Sequence, residues 1–450
     1  MFHQMALKNF KGWQTTGGEP LRLAPITLFF GSNSSGKTSL LQSILLLKQT
    51  AESRDRRRVL HPGDKRALVD LGTPRDLIFK HALDQQLEFR FAWDLPGGIK
   101  LHKDFFTELT FTLKVGFRKE GQSYVEVMRY YLNQMANVAM LRRKDGTGYD
   151  LACTGLQDVK KLELDPPAVL PDPVRFYGFP DEARSFVDPS AWLVDLGLQV
   201  EKQLDRVQYV GPLREYPERS YLFAGDAPPD VGIRGEQAVH AILAAGSEGR
   251  QIVLGHGAEK REVPFAAGIA EWLKAFDVID SFKLEPIAPG SRDYAVRVKR
   301  TPDAAEVFIT DVGFGVSQVL PVLVQCYYAA RHSTVLFEQP EIHLHPCVQA
   351  RLSDVFIDAA KNSGVQFIIE SHSEHLLRRL QRRVAEGETV RSDEVALYVC
   401  DIDGGRSRIR PLEMDEYGNI TNWPKDFFGD EVGDLIKMTE ATMRRQGVEP

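Results

Sequence analysis

The stretch ITLFFGSNSSGKTSLLQSILLLKQ, residues 26–49, contains the pattern G-x-x-x-x-G-K-[S/T] between two segments of different periodicity. Residues 21–30 are predicted to form a strand that ends in the continuous apolar run 26–30. After Thr38 the leucines and isoleucines recur at helical spacing, which predicts a helix. A strand, a glycine-rich loop and a helix in this order are typical of a phosphate-binding loop, because backbone N–H groups and the helix dipole favour an anion there.

The residue types in this loop indicate separate tasks for its side chains. Lys37 would reach the β- and γ-phosphates of a nucleotide, and the Thr38 hydroxyl would ligate Mg²⁺. The alternative is a glycine- and serine-rich turn that happens to precede a lysine, and it does not account for the flanking strand and helix. We therefore expect ATP and Mg²⁺ as cofactors. The predicted nucleotide-binding residues of the loop are Gly31, Asn33, Ser34, Ser35, Gly36, Lys37, Thr38 and Ser39.

A second segment, TVLFEQPEIHLHP at residues 334–346, is an apolar strand that ends in an acid. Glu338 is the expected magnesium-holding carboxylate at this strand tip, either directly or through a water molecule. In many nucleotide hydrolases a second acid follows at once and acts on the attacking water. Here the next residue is Gln339, whose amide oxygen can orient a water but cannot accept its proton. Since general-base assistance is typically worth roughly 10²–10⁴-fold, we predict slow hydrolysis, with Glu341 as the nearest alternative carboxylate.

Two further loops precede predicted helices at suggestive places in the chain. Residues 311–318, DVGFGVSQ, form a signature-like loop, in which Gly315 and Ser317 are candidate ligands of a γ-phosphate. An ordinary helix cap is the alternative for this loop. His372 follows an apolar strand directly and is a candidate for contacting the γ-phosphate and sensing its loss, unless it only caps the next helix.

The histidines of the HLHP segment, His343 and His345, are too few for a closed zinc site. We interpret this segment as a loop that meets a partner protomer, and simple loop packing is the alternative.

The order of elements along the chain predicts an α/β fold with an ATPase head that is split in sequence. The last third alternates strand and helix, as a parallel sheet with crossovers does. Residues 87–151 instead alternate apolar and polar positions, which predicts antiparallel strands and hence an antiparallel β subdomain with a mixed insert. The predicted division is 1–86 for the first part of the head, 87–300 for the insert, 301–402 for the second part of the head and 403–450 for a C-terminal region.

Composition excludes several classes of protein. The 450 residues contain 56 Lys and Arg against 62 Asp and Glu, a net charge of −6, so nucleic acid would bind only at local patches. The basic clusters that could form such patches, or simply solvated faces, lie at residues 54–58, 142–144, 378–383 and 444–445. The four scattered cysteines fit a reducing cytosol, and the start of the chain has no secretory pattern. We therefore expect a cytoplasmic protein that does not enter a membrane.

The phosphate loop, signature-like loop, acid strand and strand-tip histidine follow one another as in ABC-type ATPase heads. The chain resembles the OLD-like (overcoming lysogenization defect) AAA-family ATPases, in particular bacterial members without a Toprim domain, and its head is similar to SMC and DNA-repair ATPases. The segments that carry this resemblance are NFKGWQ, ITLFFGSNSSGKTSLLQSILLLKQ, YVGPLREYPER, DVGFGVSQVLPVLV, FEQPEIHLHP, IIESHSEHLL and DEYGNITNWPKDFFGD, between residues 9 and 430.

The resemblance implies a homodimer, or an assembly of dimers, that holds ATP between protomers. Gly315 and Ser317 would then bind the γ-phosphate of the partner's nucleotide. Several relatives are ATPase subunits of anti-phage defence systems such as Septu and PARIS, in which a separate nuclease is the effector. We expect the same role here, a nucleotide-gated switch with no nuclease site in this chain. The alternatives are an SMC-like DNA-maintenance ATPase, although no long heptad arm is present, and a non-hydrolysing ATP-sensing scaffold.

Overall fold

The computed structural model describes residues 1–101, 104–156, 169–183, 192–424, 427 and 431–445. The strands are β1 (Phe2–Phe10), β2 (Trp13–Thr15), β3 (Leu21–Arg22), β4 (Ile26–Gly31), β5 (Leu87–Leu101), β6 (Asp104–Phe117), β7 (Ser123–Leu132), β8 (Ala136–Arg142), β9 (Tyr149–Thr154), β10 (Val207–Val210), β11 (Tyr221–Leu222), β12 (Gln251–Leu254), β13 (Arg261–Pro264), β14 (Ser281–Pro286), β15 (Asp293–Lys299), β16 (Val307–Phe308), β17 (Thr334–Glu338), β18 (Gln366–Glu370), β19 (Val395–Asp403) and β20 (Arg406–Leu412). The helices are α1 (Lys37–Glu52), α2 (Pro74–Leu77), α3 (Trp192–Asp205), α4 (Ala238–Ser247), α5 (Phe265–Ala275), α6 (Phe314–Tyr328), α7 (Pro346–Ser363), α8 (Glu374–Glu386) and α9 (Glu431–Arg445).

A six-stranded sheet in the order β10-β17-β18-β4-β19-β20 forms the centre of the head. Its first five strands are parallel, and β20 returns antiparallel to β19. Because β4 comes from the start of the chain and β17 to β19 come from its last third, the head is split in sequence as predicted. The fold is mixed α/β and contains a large antiparallel sheet, so the expected fold class is confirmed.

Strands β4, β17 and β18 of the central sheet are buried almost throughout, so they pack on both faces, which explains why they are continuous apolar runs. Every residue of β17 and β18 is buried. Leu336 and Ile368 point into a core shared with α1, whereas Val335 and Phe337 point into a second core shared with α6, α7 and α8. Alternate residues of each strand therefore pack into two separate cores.

The antiparallel sheet has the order β2-β1-β5-β6-β7-β8-β9, with β3 paired to β1. It confirms the predicted strands between residues 87 and 151. Helix α1 contributes Leu40, Leu41 and Ile44 to the core that this sheet shares with the central sheet. The helix that follows the phosphate loop is therefore enclosed between the two sheets.

Two features of the observed topology differ from simple readings of the sequence. The predicted strand at residues 21–30 is interrupted at Pro25, because a proline cannot donate to a ladder, and forms β3 and β4 separately. Strand β10, from the predicted insert, pairs in parallel with β17 at the edge of the central sheet. The head therefore takes one strand from the middle of the chain, while the division at residues 86, 300 and 402 stays a prediction.

The C-terminal region packs back onto the head where the structure describes it. Trp423 lies under the guanidinium of Arg378, 4.7 Å from ring centroid to Cζ, and Phe427 packs edge-on against Phe30 of β4 at 6.1 Å. None of the helices within the described ranges is long and apolar enough to cross a membrane.

Candidate nucleotide-binding site

The carboxyl ends of four parallel strands, β10, β17, β18 and β4, lie side by side at one edge of the central sheet. Ligands of open α/β sheets commonly bind outside such carboxyl ends. The register places Glu338 directly opposite Glu370 on the neighbouring strand, and Glu370 opposite Phe29 of β4. The sheet therefore brings the predicted acid strand, the strand-tip histidine and the phosphate loop to one place.

The phosphate loop requires glycine at two positions. Gly31 and Gly36 have φ values of 140° and 97°, in the region that glycine adopts at least cost. A Cβ on Gly31 would collide with the carbonyl oxygen of Cys400, and a Cβ on Gly36 would lie 2.5 Å from Oγ of Ser407 in β20. The loop thus follows its path only because both positions lack a side chain.

Lys37 and Trp13 fix the two sides of this loop. The Lys37 ammonium donates hydrogen bonds to the carbonyl oxygens of Gly31 at 3.0 Å and Ser32 at 2.8 Å. Trp13 donates from Nε1 to the carbonyl oxygen of Gly36 at 3.1 Å. Burial lowers the pKa of Lys37, and the nearby carboxylate of Glu370 opposes this shift.

Thr38 is held by a carboxylate that the sequence reasoning did not select. Its hydroxyl donates to Oε2 of Glu370 at 2.7 Å, while Oε1 of Glu370 lies 3.9 Å from the Lys37 ammonium. Burial raises the pKa of Glu370. Mg²⁺ is commonly bound through one or two carboxylates, a hydroxyl and substrate phosphates. Thr38, Glu370 and the opposite Glu338 together offer that set of donors.

Glu338 is a buried acid, 7% exposed, at the tip of β17. Its burial, together with the carboxylate of Glu370, raises its pKa to about 7. The Tyr209 hydroxyl of β10 donates a hydrogen bond to this carboxylate and opposes the rise. Oε1 of Glu338 is buried and has no hydrogen-bond partner among the described residues. A cation bound at this edge would supply the missing partner.

Gln339 has left-handed backbone geometry, with a φ of 44°, which is uncommon for a residue with a side chain. Its backbone N–H donates to the carbonyl oxygen of Glu370 at 2.8 Å, so the turn after β17 is tied to β18. Such backbone strain is typical of functional sites. The amide side chain is partly exposed at the edge where the strands end.

Glu341 points inward and links two of the predicted site segments. Its Oε1 accepts hydrogen bonds from the Ser371 hydroxyl at 2.8 Å and from the backbone N–H of His372 at 2.7 Å. Burial raises its pKa. Oε2 is buried and has no hydrogen-bond partner in the described part of the chain. Glu341 therefore holds the histidine loop with one oxygen and keeps the other available.

His372 is in place to contact a bound phosphate. Burial lowers its pKa, and the nearby Lys37 charge adds to the effect, so the ring is neutral at pH 7. Nε2 is shielded from solvent and lacks a hydrogen-bond partner within the described ranges. A neutral ring can donate from this nitrogen when the proton resides there.

Unsatisfied polar atoms accumulate at this edge of the sheet. Buried polar groups normally have partners, so each exception needs an explanation. Within the described structure, the buried side-chain atoms without a hydrogen bond here are Ser35 Oγ, Glu338 Oε1, Glu341 Oε2, His372 Nε2 and the Nε, Nη1 and Nη2 atoms of Arg214. Cationic donors suit the phosphates of a nucleoside triphosphate, and carboxylate acceptors suit a divalent cation. Their arrangement around one glycine-rich loop therefore fits a nucleoside triphosphate bound with such a cation.

The signature-like loop lies at the start of α6. Gly313 is the cap residue, Gly315 and Ser317 lie in the first turn, and Asp311 forms an ion pair with Arg219 at 2.7 Å. The binding of a partner's phosphate by Gly315 and Ser317 stays a prediction.

The HLHP segment behaves as a loop before a helix. His345 caps α7, where its Nδ1 accepts from the Cys347 N–H at 3.4 Å, and His343 is exposed with a φ of 61°. Across the described residues, no group of three or more His, Cys, Asp and Glu is arranged to hold a metal ion. Whether this loop meets a partner protomer stays a prediction.

Sequence reasoning missed three residues of this site: Glu370, Tyr209 and Arg214. Glu370 ends an apolar strand just before His372, which is the same signal that identified Glu338. Tyr209 and Arg214 belong to the segment YVGPLREYPER, which carries part of the family resemblance but has no sequence signal that places it beside the acid strand.

Comparisons with known proteins agree with a nucleotide site. Residues 263–377 match the family described as an AAA ATPase domain. This part of the chain is therefore similar to AAA ATPase domains. Residues 390–438 match a protein family of unknown function, DUF3696. No curated protein matches the sequence significantly.

Several solved structures of SMC head domains are similar to this chain. An SMC head bound to the C-terminal winged-helix domain of ScpA is 13% identical, covers 92% of this chain and 98% of its own, and has a TM-score of 0.46. The SMC head domain from Thermotoga maritima is 11% identical, with coverages of 92% and 99% and a TM-score of 0.40. An SMC head with an extended coiled coil, bound to the C-terminal domain of ScpA derived from Pyrococcus furiosus, is 12% identical, with coverages of 98% and 99% and a TM-score of 0.44.

Proposed function

We propose that this protein binds ATP with Mg²⁺ at residues 31–38 and hydrolyses it slowly. The observation that carries this proposal is the hydrogen bond between Thr38 and Glu370, next to Lys37 and Glu338. It joins the end of the phosphate loop to Glu370, a buried strand-tip carboxylate that lies opposite a second one, Glu338. A purely structural strand edge has no need for buried acids whose ionisation is opposed by their own environment.

The side chains suit successive tasks in phosphoryl transfer. Lys37 and the loop N–H groups would bind the phosphates, and Thr38 with Glu338 and Glu370 would hold Mg²⁺, which neutralises phosphate charge when bound. Gln339, fixed by its backbone bond to Glu370, would orient the attacking water. His372 would donate from Nε2 to the γ-phosphate.

The slow rate follows from the residue after the acid strand tip. Because an amide cannot accept a proton, Gln339 positions water without activating it as a base. Glu341 is the available carboxylate, since its Oε2 is not used in holding the histidine loop. Because burial raises the pKa of Glu341, its carboxylate is, once ionised, a stronger base than that of an ordinary glutamate.

The wider role that we propose is a nucleotide-gated switch in a dimer. The signature-like loop at α6 would close on the nucleotide of a second protomer, and long-lived ATP-bound dimers would control a separate effector nuclease in anti-phage defence. The support for this role is the order of the motifs and the resemblance to OLD-like ATPases. Salt-sensitive DNA binding by the isolated protein would instead favour SMC-like DNA maintenance.

The test is phosphate release by the purified protein with Mg²⁺ and ATP, alone and with the product of a neighbouring gene. Lys37→Ala should abolish turnover, because it removes the cation that contacts the β- and γ-phosphates. Lys361→Ala is the matched control, since Lys361 lies on α7, is ion-paired with Glu394 and has no task in the loop. Wild-type turnover equal to that of Lys37→Ala in every setting would leave only a non-hydrolysing scaffold.

A further inference from the structure

Arg214 is the most unusual charged residue of the site. It lies in the loop that follows β10 and is only 6% exposed. Its three guanidinium nitrogens are buried, and none has a hydrogen-bond partner among the residues that the structure describes. A buried charge normally has a partner, because removing it from water is costly. An arginine in this state indicates a binding partner that is anionic.

The surroundings of Arg214 belong to the nucleotide site. The groups that act on its charge are Glu341, Tyr209 and Glu338. Burial lowers the pKa of Arg214 to about 10, so the side chain still carries its charge at neutral pH. A charge retained in such a setting attracts anions more strongly than it would in water.

The strand order explains how Arg214 arrives there. Val210 of β10 pairs with Phe337 of β17, so the loop from residue 211 leaves the sheet beside Glu338. Glu341 is within electrostatic range of both Arg214 and Lys37. The two cations therefore approach the same acidic centre, one from the phosphate loop and one from the edge strand.

Two carboxylate oxygens near Arg214 accept no hydrogen bond from its guanidinium. Glu338 Oε1 and Glu341 Oε2 have no hydrogen bond within the described part of the chain, although a guanidinium lies nearby. If Arg214 served only to neutralise these acids, a direct fork-to-carboxylate pair would be the expected geometry. Unpartnered donors near unpartnered acceptors instead suit a bound group that supplies a partner to both.

We propose that Arg214 binds the γ-phosphate of the ATP held by its own chain, and thereby distinguishes ATP from ADP. This inference rests on the proposed ATP-binding function. The planar guanidinium offers up to five N–H donors, which match the oxygens of a terminal phosphoryl group. Such a contact exists only while the γ-phosphate is present and also stabilises the charge of the transition state.

The experiment compares the dissociation constants of the ATP analogue AMP-PNP and of ADP, each with Mg²⁺. Arg214→Gln should weaken AMP-PNP binding about 10- to 100-fold, as expected for hydrogen bonds to a charged group, and change ADP binding less than about 3-fold. Its kcat should fall by about 10²-fold. Arg214→Lys keeps the charge without the planar fork and should recover only part of the preference for AMP-PNP. Arg234→Gln is the control, because Arg234 is an exposed arginine that pairs with Glu215.

The outcomes separate this inference from the proposed function. The γ-phosphate contact is overturned if folded Arg214→Gln or Arg214→Lys loses the same affinity for AMP-PNP and for ADP. It is also overturned if neither affinity changes. The same holds for a shift of the acid limb of the pH profile of kcat/KM without a change in nucleotide preference, which would mean that Arg214 only keeps Glu338 and Glu341 ionised. If the wild type binds neither nucleotide, or binds both as Lys37→Ala does, the ATP function itself is wrong. Thermal unfolding of each variant shows whether it is folded.

Discussion

The hydroxyl of Thr38 and the carboxylate of Glu370 form a 2.7 Å hydrogen bond between residues 332 positions apart in sequence. This bond closes the site from the phosphate-loop side, since Glu370 lies opposite Glu338 on the adjacent strand. Glu370 therefore orients the hydroxyl that is expected to ligate Mg²⁺, whether or not it also contacts the ion through water.

Replacing Glu370 should change the magnesium dependence of turnover more than the affinity for nucleotide. Glu370→Gln removes a negative charge and a strong acceptor next to Thr38, so the Mg²⁺ concentration for half-maximal ATPase activity should rise about 10- to 100-fold. Magnesium titrations at saturating ATP measure this. Glu394→Gln, which alters a surface ion pair with Lys361, should leave the titration unchanged. An unaltered midpoint in Glu370→Gln would mean that Glu370 has only a structural role.

Glu338 should destabilise the metal-free protein increasingly as the pH rises from about 4.5 to about 7. Its folded-state pKa of about 7 lies above the ordinary value of 4.5. Between these values the folded chain keeps a proton that the unfolded chain has lost, so stability falls as pH rises from about 4.5 to about 7. Glu338→Gln should therefore stabilise the apo-protein at pH 8 by up to about 3 kcal/mol and have little effect at pH 5.

Denaturant unfolding without Mg²⁺ or nucleotide at these two pH values checks the prediction for Glu338. The same variant should lose the stabilisation that Mg²⁺ with nucleotide gives the wild type. Equal effects of Glu338→Gln at pH 5 and pH 8 would contradict a carboxylate held protonated by burial.

We predict that Glu341, and not Gln339, acts as the general base in hydrolysis. Glu341→Gln keeps an oxygen that can accept from Ser371 and His372 but removes the proton acceptor, so kcat should fall about 10²-fold with little change in KM. Ser371→Ala removes only one of the two bonds that hold the loop and should reduce stability more than kcat. Steady-state kinetics of both variants distinguish a chemical role from loop support.

Gln339→Glu should raise turnover, because it restores a carboxylate beside the water.

A negatively charged side chain at Gly315 should block ATP-dependent dimerisation without unfolding the chain. A Cβ there would meet only Cγ1 of Val278 at 3.9 Å, so the chain's own structure tolerates substitution. Gly315→Asp would place a negative charge where the partner's γ-phosphate is expected. Light scattering with Mg²⁺ and AMP-PNP should show the dimer for the wild type and a monomer for Gly315→Asp.

The control for that experiment is Gly246→Asp on α4, a glycine with open surroundings like those of Gly315. It should dimerise as the wild type does. Dimers of Gly315→Asp with unchanged affinity would exclude the signature-like loop from the interface.

Local patterns carried the part of the site that could be predicted from sequence. The phosphate loop, Glu338 and His372 each sit where an apolar strand ends, and strand, loop and helix are adjacent in the chain. Strand order is not a local property. Because β10 comes from the middle of the chain and only the folded sheet places it beside β17, Tyr209 and Arg214 could not be assigned to the site from sequence. The same holds for the bond between Thr38 and Glu370, which depends on β18 lying next to β4.

Ser407 gives the C-terminal region a mechanical connection to the nucleotide loop. Its backbone N–H donates to the carbonyl oxygen of Gly12 at 2.9 Å, and its hydroxyl fills the space where Gly36 lacks a side chain. Residue 407 lies within the segment that matches a family of unknown function. Part of that segment therefore packs directly against the phosphate loop. Any force that pulls β20 away from the sheet would remove this support and lower the affinity of the loop for its ligand.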